Sequence, residues 1–237
     1  MTFDASYIWP SLIAALQCLH VTLILSFVSF CVGLLLGTPV AVSRKFHATW
    51  TSYALGVLIP ILKGVPLVLY VLMFNFAILK PLDALSEYYA WADGLRRMDK
   101  IYIGLVAMSV SATVMISETM RSALSSVSEG QYEACFSVGL TKWQALRRVV
   151  LPQAMVFAAP VLCNNIISLI KGSSIVFVVG IMDVLNSAKT SAQINYRFLE
   201  AYIASALVYW VICATVGRIG WFLEKRQARG VAKAGGA

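Results

Sequence analysis

Residues 129–154, EGQYEACFSVGLTKWQALRRVVLPQA, form a polar island between long apolar runs and hold much of the chain's interior charge. The punctuation of this stretch predicts two short helices. Ser128 with Gln131, and Thr141 with Gln144, each fit the S/T-x-x-Q capping box, in which two side chains satisfy each other's orphan backbone N–H groups. Gly139 stands just past the first helix, where a left-handed residue ends a helix at least cost. Pro152 cannot continue a helix internally but suits the first turn of the next one. The expected result is a helix–turn–helix hairpin on a membrane surface, feeding directly into a spanning segment. An amphipathic loop lying on lipid headgroups satisfies the same pattern.

The surrounding composition identifies the solvent. Of 237 residues, 59% are hydrophobic and 13% charged, and the mean hydropathy is +0.79. Soluble domains average about 25% charged residues, so this chain lacks the polar residues to cover a water-facing surface. It reads as an all-α integral membrane protein. The net charge of +8 is modest and is explained by topology, so no nucleic-acid partner is expected. Five cysteines (Cys18, Cys31, Cys135, Cys163 and Cys213) include no C-x-x-C pair and read as small hydrophobes rather than a disulfide framework or zinc site. The start, MTFDASYIWP, lacks the basic region of a cleavable signal peptide.

A spanning helix needs roughly 20 predominantly apolar residues. Five segments qualify, at about 16–41, 53–79, 101–122, 155–182 and 199–223. They leave an external N-terminal segment 1–15, a transmembrane domain 16–223 containing the hairpin (125–152), and a basic tail 224–237. Arg44 and Lys45 follow the first span with no acid beside them. Basic loops stay in the cytoplasm, which puts the N-terminus outside, the hairpin and the tail inside, and loops 80–100 and 183–198 outside. Eleven Lys and Arg then lie inside and six outside.

Lys63 opens KGVP (63–66) and Lys171 opens KGSS (171–174), each within an apolar run where Gly or Pro is expected to break the helix. A charge at membrane depth costs about 2.5–3.5 kcal/mol and faces a polar interior where it has one. Lys63 and Lys171 therefore either line a solute path or reach an interface by snorkelling or capping a broken helix end. Asn164, Asn165 and Ser168 extend the polar face of the fourth segment toward Lys171, making that segment the expected cavity wall.

No G-x-x-x-x-G-K-[ST] loop, H-E-x-x-H or G-x-S-x-G occurs, and His20 and His47 lie at opposite ends of one span. The chain thus has no visible catalytic apparatus, metal site or cofactor site, and no engine of its own.

Four motifs in order resemble those of ABC importer permeases, specifically the polar amino-acid uptake branch. Glu133-Ala134-Cys135, Gly139 and Leu151-Pro152 match the EAA motif. Lys63-Gly64-Val65-Pro66-Leu67 resembles the family's R-G-T-P-L, Val149-Val150-Leu151-Pro152-Gln153-Ala154 its V-x-L-P-Q-A, and Lys171-Gly172-Ser173-Ser174-Ile175 its K-D-T-S-L. Lys63 replaces Arg, Cys135 replaces Ala and Gly172 replaces Asp. Arg and Lys differ in hydrogen-bonding geometry, so the substrate preference is expected to be atypical if these positions lie near the cargo.

The resemblance implies a type I importer transmembrane domain with five helices, N-out and C-in, in a bacterial inner membrane. It implies a coupling role for Glu129, Tyr132, Glu133, Ala134, Phe136 and Gly139, with Tyr132 and Phe136 as an apolar anchor for the partner and Trp143, Leu146 and Val150 packing the second helix on the bundle. It implies a substrate pathway that includes Lys63, Pro66, Asn164, Asn165, Ser168, Lys171 and Ser173. The implied partners are two cytoplasmic ATPase subunits carrying ATP and Mg, a second permease chain (identical or related), an external solute-binding protein and the lipid bilayer. The competing classes are a permease for another small organic solute and a non-transporting scaffold that uses the hairpin to recruit a soluble protein.

Overall fold

Ser29, Gly33, Gly37 and Ala41 fall four residues apart, and all are buried. In a helix such residues share one face, and small residues there allow backbones to approach closely in a membrane, where apolar burial alone gives little association. The computed structural model describes residues 3–46, 50–89, 91 and 99–234, apart from the side chains of residue 223 and residues 226–234. Its helices are α1 (Ile8–Gln17), α2 (Leu19–Phe46), α3 (Trp50–Lys63), α4 (Leu67–Ser86), α5 (Ile101–Ser125), α6 (Glu129–Ser137), α7 (Lys142–Ala145), α8 (Leu151–Gly172), α9 (Val184–Ser191) and α10 (Phe198–Ala234). Among the described residues every regular element is helical, and five stretches are long and apolar enough to cross a membrane. The expectations for His47, Ala90 and residues 92–98 lie outside the described residues.

The small-residue stripe packs α2 against α5. A Cβ built on Gly33 would lie 2.8 Å from the Ala112 Cβ, and one on Gly37 would lie 2.9 Å from the Thr113 carbonyl oxygen. Around this seam one buried cluster gathers Ala41, Ile116, Met120, Leu146, Val150 and Ala154, and a second gathers Leu25, Tyr70, Met108, Leu169 and Val176.

Three spans differ from the sequence expectation. The apolar run 16–41 is two helices, because the chain breaks at Cys18, where His20 Nδ1 lies 3.0 Å from the exposed Gln17 carbonyl. The segment before the break, together with part of residues 1–15, forms α1, which packs against α9 and α10 around Ala15, Val184, Ala188 and Ala201. Hydropathy alone does not see such a break, since both sides are apolar. The run 53–79 divides at KGVP into α3 and α4, and it is Leu67–Ser86 that reaches spanning length. The fourth span starts early: α7, a π-helical turn over Leu146–Val150, α8 and a 3-10 turn over Ser173–Val179 form one 38-residue rod, Lys142–Val179. KGSS thus tightens the helix rather than interrupting it, and the rod ends at Gly180 with φ +83°. The tail is no separate segment, for α10 runs through Ala234.

If the α2–α5 seam holds the bundle, Gly37→Val should lower the unfolding midpoint of the purified protein by the equivalent of about 1–3 kcal/mol, the usual cost of overpacking. Gly56→Ala, where an added Cβ meets nothing within 4 Å, should leave the midpoint unchanged or raise it. Equal effects at both sites would show that the close approach is unimportant.

Candidate functional site

The hairpin is α6 followed by α7, and its turn is built as the sequence implies. The Gly139 N–H bonds the Phe136 carbonyl at 3.0 Å and the Leu140 N–H bonds the Cys135 carbonyl at 3.0 Å, while Gly139 takes φ +79°. This pattern is a Schellman cap, and its left-handed residue favours glycine. At α7 the capping box forms in full: the Thr141 N–H reaches Gln144 Oε1 at 2.9 Å and the Gln144 N–H reaches Thr141 Oγ1 at 3.3 Å. The expected box at Ser128 does not form. Gln131 instead accepts from Gln153 Nε2 at 3.1 Å, tying α6 to α8. Pro152 does not end the helix; the π turn just before it widens the backbone where proline provides no N–H.

Tyr132 and Phe136 do not act together as an outward anchor. Tyr132 turns inward and packs edge-on against Phe46 at the end of α2, with ring centroids 5.9 Å apart, and burial pushes its phenol pKa up. Phe136 faces outward, 46% exposed. Leu146 and Val150 are buried in the bundle as expected, but Trp143 is not: like Val138, it stays exposed. The hairpin therefore presents Glu129, Glu133, Ala134, Phe136, Val138 and Trp143 outward, while Tyr132 and buried Cys135 hold it to the bundle. Among the described residues the Glu133 carboxylate has no ion-pair partner.

The break at KGVP opens a cavity of about 360 Å³ between the α3–α4 junction and α5, lined by Lys63, Val65, Tyr70, Ser111, Glu118 and Thr119 among others. The Gly64 N–H still bonds the Ile61 carbonyl at 3.1 Å, Pro66 gives no N–H, and the Leu62 carbonyl accepts from both the Val65 N–H at 3.0 Å and the Tyr70 hydroxyl at 2.7 Å, which ties α4 to the end of α3. Pro66 is the exposed N-cap of α4. Asn165 is buried and donates to Thr119 Oγ1 at 2.9 Å. Asn164, Ser168 and Lys171 fall along one exposed face of α8, away from the lining of this cavity. Ser173 is fully buried and donates to its own helix at Ile170, so it carries no free hydrogen. The two lysine-bearing motifs nevertheless adjoin, because a Cβ on Gly172 would come within 2.8 Å of Leu67 Cδ2.

One cluster at the wall of this cavity was not legible in the sequence. Arg44, 8% exposed at the end of α2, pairs through Nη1 with Glu118 Oε1 on α5, and Arg121 Nη2 bonds Glu118 Oε2 at 3.1 Å. Arg44 sits 74 positions from its partner, a separation no local pattern reports.

Residues 29–229 match the family of binding-protein-dependent transport system inner membrane components. The chain belongs to this family. It is similar to the probable amino-acid ABC transporter permease protein YckA of Bacillus subtilis, at 32% identity over 87% of this chain and 86% of that one. It is also similar to the glutamine transport system permease protein GlnP of Escherichia coli, at 28% identity over 96% and 99%. A crystal structure of an amino acid ABC transporter with histidines contains a chain that matches it with TM-score 0.79 and 26% identity, covering 95% of this chain and all of that one. The protein is accordingly a multi-pass permease subunit of an ABC importer, working with an ATPase and a solute-binding protein supplied by other chains.

In this permease the Arg44–Glu118–Arg121 cluster joins the end of α2 to α5 just where the hairpin docks on Phe46. Breaking a buried pair from one side strands a charge and costs about 3–5 kcal/mol. Glu118→Gln should therefore lower the thermal unfolding midpoint sharply, and the double change Arg44→Met with Glu118→Leu should recover most of the loss. An unaltered midpoint in Glu118→Gln would remove the cluster's structural role.

Proposed function

We propose that this permease imports a polar amino acid, or a close derivative, across a bacterial inner membrane, with Lys63 receiving the carboxylate of the cargo. The observation that carries the reading is the placement of Lys63 at a helix break that lines the 360 Å³ cavity, without a carboxylate bonded to it among the described residues. Small-molecule sites run from roughly 300 to 1,000 Å³, so the space suits a single amino acid rather than a peptide or oligosaccharide. Relatives named as amino-acid permeases support the same cargo class.

In this reading the N-terminus is outside and the hairpin is cytoplasmic, as the distribution of Lys and Arg favours. Glu129, Glu133, Ala134, Phe136 and the Gly139 turn dock on an ATPase subunit that binds ATP and Mg. Tyr132 supports this surface from behind, through Phe46. Two permease chains, identical or related, meet two ATPase subunits, and closure of the ATPases moves both hairpins. Because α6 is locked to α2, α5 and α8 by Tyr132, Cys135 and the Gln131–Gln153 bond, its motion reaches the spans instead of bending the turn. The external binding protein delivers cargo at the opposite end. Asn164, Ser168 and Lys171 form a polar stripe along the route, with Asn165 and Ser173 holding the shape of its wall and Pro66 fixing the α3–α4 break.

Uptake kinetics of Lys63→Met, in cells or proteoliposomes holding the complete transporter, test the cargo contact. Losing one charge-assisted hydrogen bond should raise KM roughly tenfold with little change in maximal rate, and Lys63→Arg should recover part of the affinity. An unchanged KM would make Lys63 a structural residue.

Coupling is tested at the hairpin. Glu133→Lys should abolish cargo-stimulated ATP hydrolysis while membrane insertion persists. Gly139→Val should do the same by straining the turn by roughly 1–2 kcal/mol, whereas Gly139→Asn, which tolerates the left-handed region, should retain activity. Normal uptake by both Glu133→Lys and Gly139→Val would remove the hairpin from the coupling path.

A further inference from the structure

Beside the Arg44–Glu118–Arg121 cluster lies a second cavity of about 510 Å³ lined by Arg44, Lys45, Ser52, Gly56, Arg121 and Ser125. It opens between the ends of α2 and α5 and the start of α3, at the same end of the bundle as the hairpin. Its walls carry three cations. Among the described residues Glu118 is the one carboxylate bonded to them, engaging Arg44 and Arg121, so a formal charge of about +2 is left uncompensated there. Arg44 is more than nine-tenths buried, and both its Nε and that of Arg121 lie buried with no hydrogen-bond partner among the described residues. Buried guanidinium N–H groups left unpaired are costly, and the planar fork matches tetrahedral oxyanions.

We propose that this cavity is an anion site that binds a phosphate group. The surroundings favour the headgroup of an anionic phospholipid as the source. From the cavity mouth an exposed apolar stripe runs along α3 through Trp50, Tyr53, Val57 and Ile61, at spacings of three or four residues. Trp and Tyr at the start of such a stripe mark headgroup depth, and aliphatic residues beyond them meet acyl chains. A phosphate seated on Arg44, Lys45 and Arg121 thus has its diacyl portion directed along α3. Basic pockets between spans hold acidic headgroups by the same electrostatics. The site shares no lining residue with the cargo cavity, and it does not depend on which solute is carried. An occupant there would complete the hydrogen bonding of both arginines, of which Arg44 joins α2 to α5 through Glu118.

The test uses the assembled transporter, purified in detergent, stripped of lipid and free of cargo. Its thermal unfolding midpoint is followed while phosphatidylglycerol, phosphatidylcholine or inorganic phosphate is titrated in. Arg44 is left intact, since removing it would strand Glu118. Lys45→Gln removes one cation, and Gly56→Phe fills the cavity from a position where an added Cβ meets no neighbour within 4 Å. Phosphatidylglycerol should raise the midpoint at lower concentration than phosphatidylcholine. Lys45→Gln should weaken that effect about fivefold, the loss of one basic residue beside an anionic headgroup, and Gly56→Phe should abolish it. Stabilisation by inorganic phosphate with the same sensitivity to both variants, and none by phosphatidylglycerol, would keep the anion site and make its occupant a soluble phosphate. Stabilisation by neither, or by phosphatidylglycerol equally in the wild type and both variants, overturns the proposal.

Discussion

The approach of α2 to α5 is the constraint on which the rest of the molecule depends. Four small residues on α2 bring the two backbones together along most of the bundle, and the ion cluster of Arg44, Glu118 and Arg121 closes the seam at the hairpin end. In a membrane, apolar surfaces gain little from meeting one another, so close backbone packing and buried polar contacts carry helix association. The seam also positions both cavities. Glu118 faces the cavity beside Lys63, while its arginine partners line the basic one. A single carboxylate therefore joins the seam that holds the bundle, the wall of that cavity and the end of the bundle that carries the hairpin.

The hairpin shows how a small set of local devices can make a rigid docking element. A Schellman cap fixes the exit from α6, a capping box fixes the entry to α7, and a side-chain amide bond ties α6 to α8. Its inward face is apolar and packed, whereas its outward face mixes two carboxylates with Phe136, Val138 and Trp143. Interfaces commonly place aromatic anchors among polar groups in this way. The packing behind the surface explains why force applied to it would not be lost in the turn.

Much of this was legible in the sequence because the signals are local. The left-handed glycine, the Thr141–Gln144 box, the five apolar spans and the break at KGVP each follow from residues a few positions apart. What escaped was non-local or masked by uniform hydropathy. The division at Cys18 is flanked by Gln17 and His20, two polar residues too few to lower the hydropathy of the long run around them. Tyr132 and Phe136 are four apart, but the structure turns one inward and leaves the other exposed because Phe46, far away in the chain, offers a ring to only one of them. Ser128 lost its expected partner when Gln131 found Gln153. Arg44 was counted for topology alone, since nothing in the sequence ties it to Glu118 across the bundle, whereas Arg121 follows Glu118 by three residues on the same helix, a local spacing.

The long rod that begins in the hairpin has an uneven stiffness along its length. Between Lys142 and Pro160 its hydrogen-bond ladder is disturbed three times, at the π turn, at Pro152 and at Pro160. From Val161 to Gly172 no proline or glycine interrupts it before the terminal Gly172. Between the hairpin and Lys171, compliance is therefore concentrated below Pro160, and the stretch Val161–Lys171 behaves as a beam that ends in the 3-10 turn. Asn164, Ser168 and Lys171 ride on that beam with fixed mutual spacing, so bending below Pro160 swings all three through the same arc.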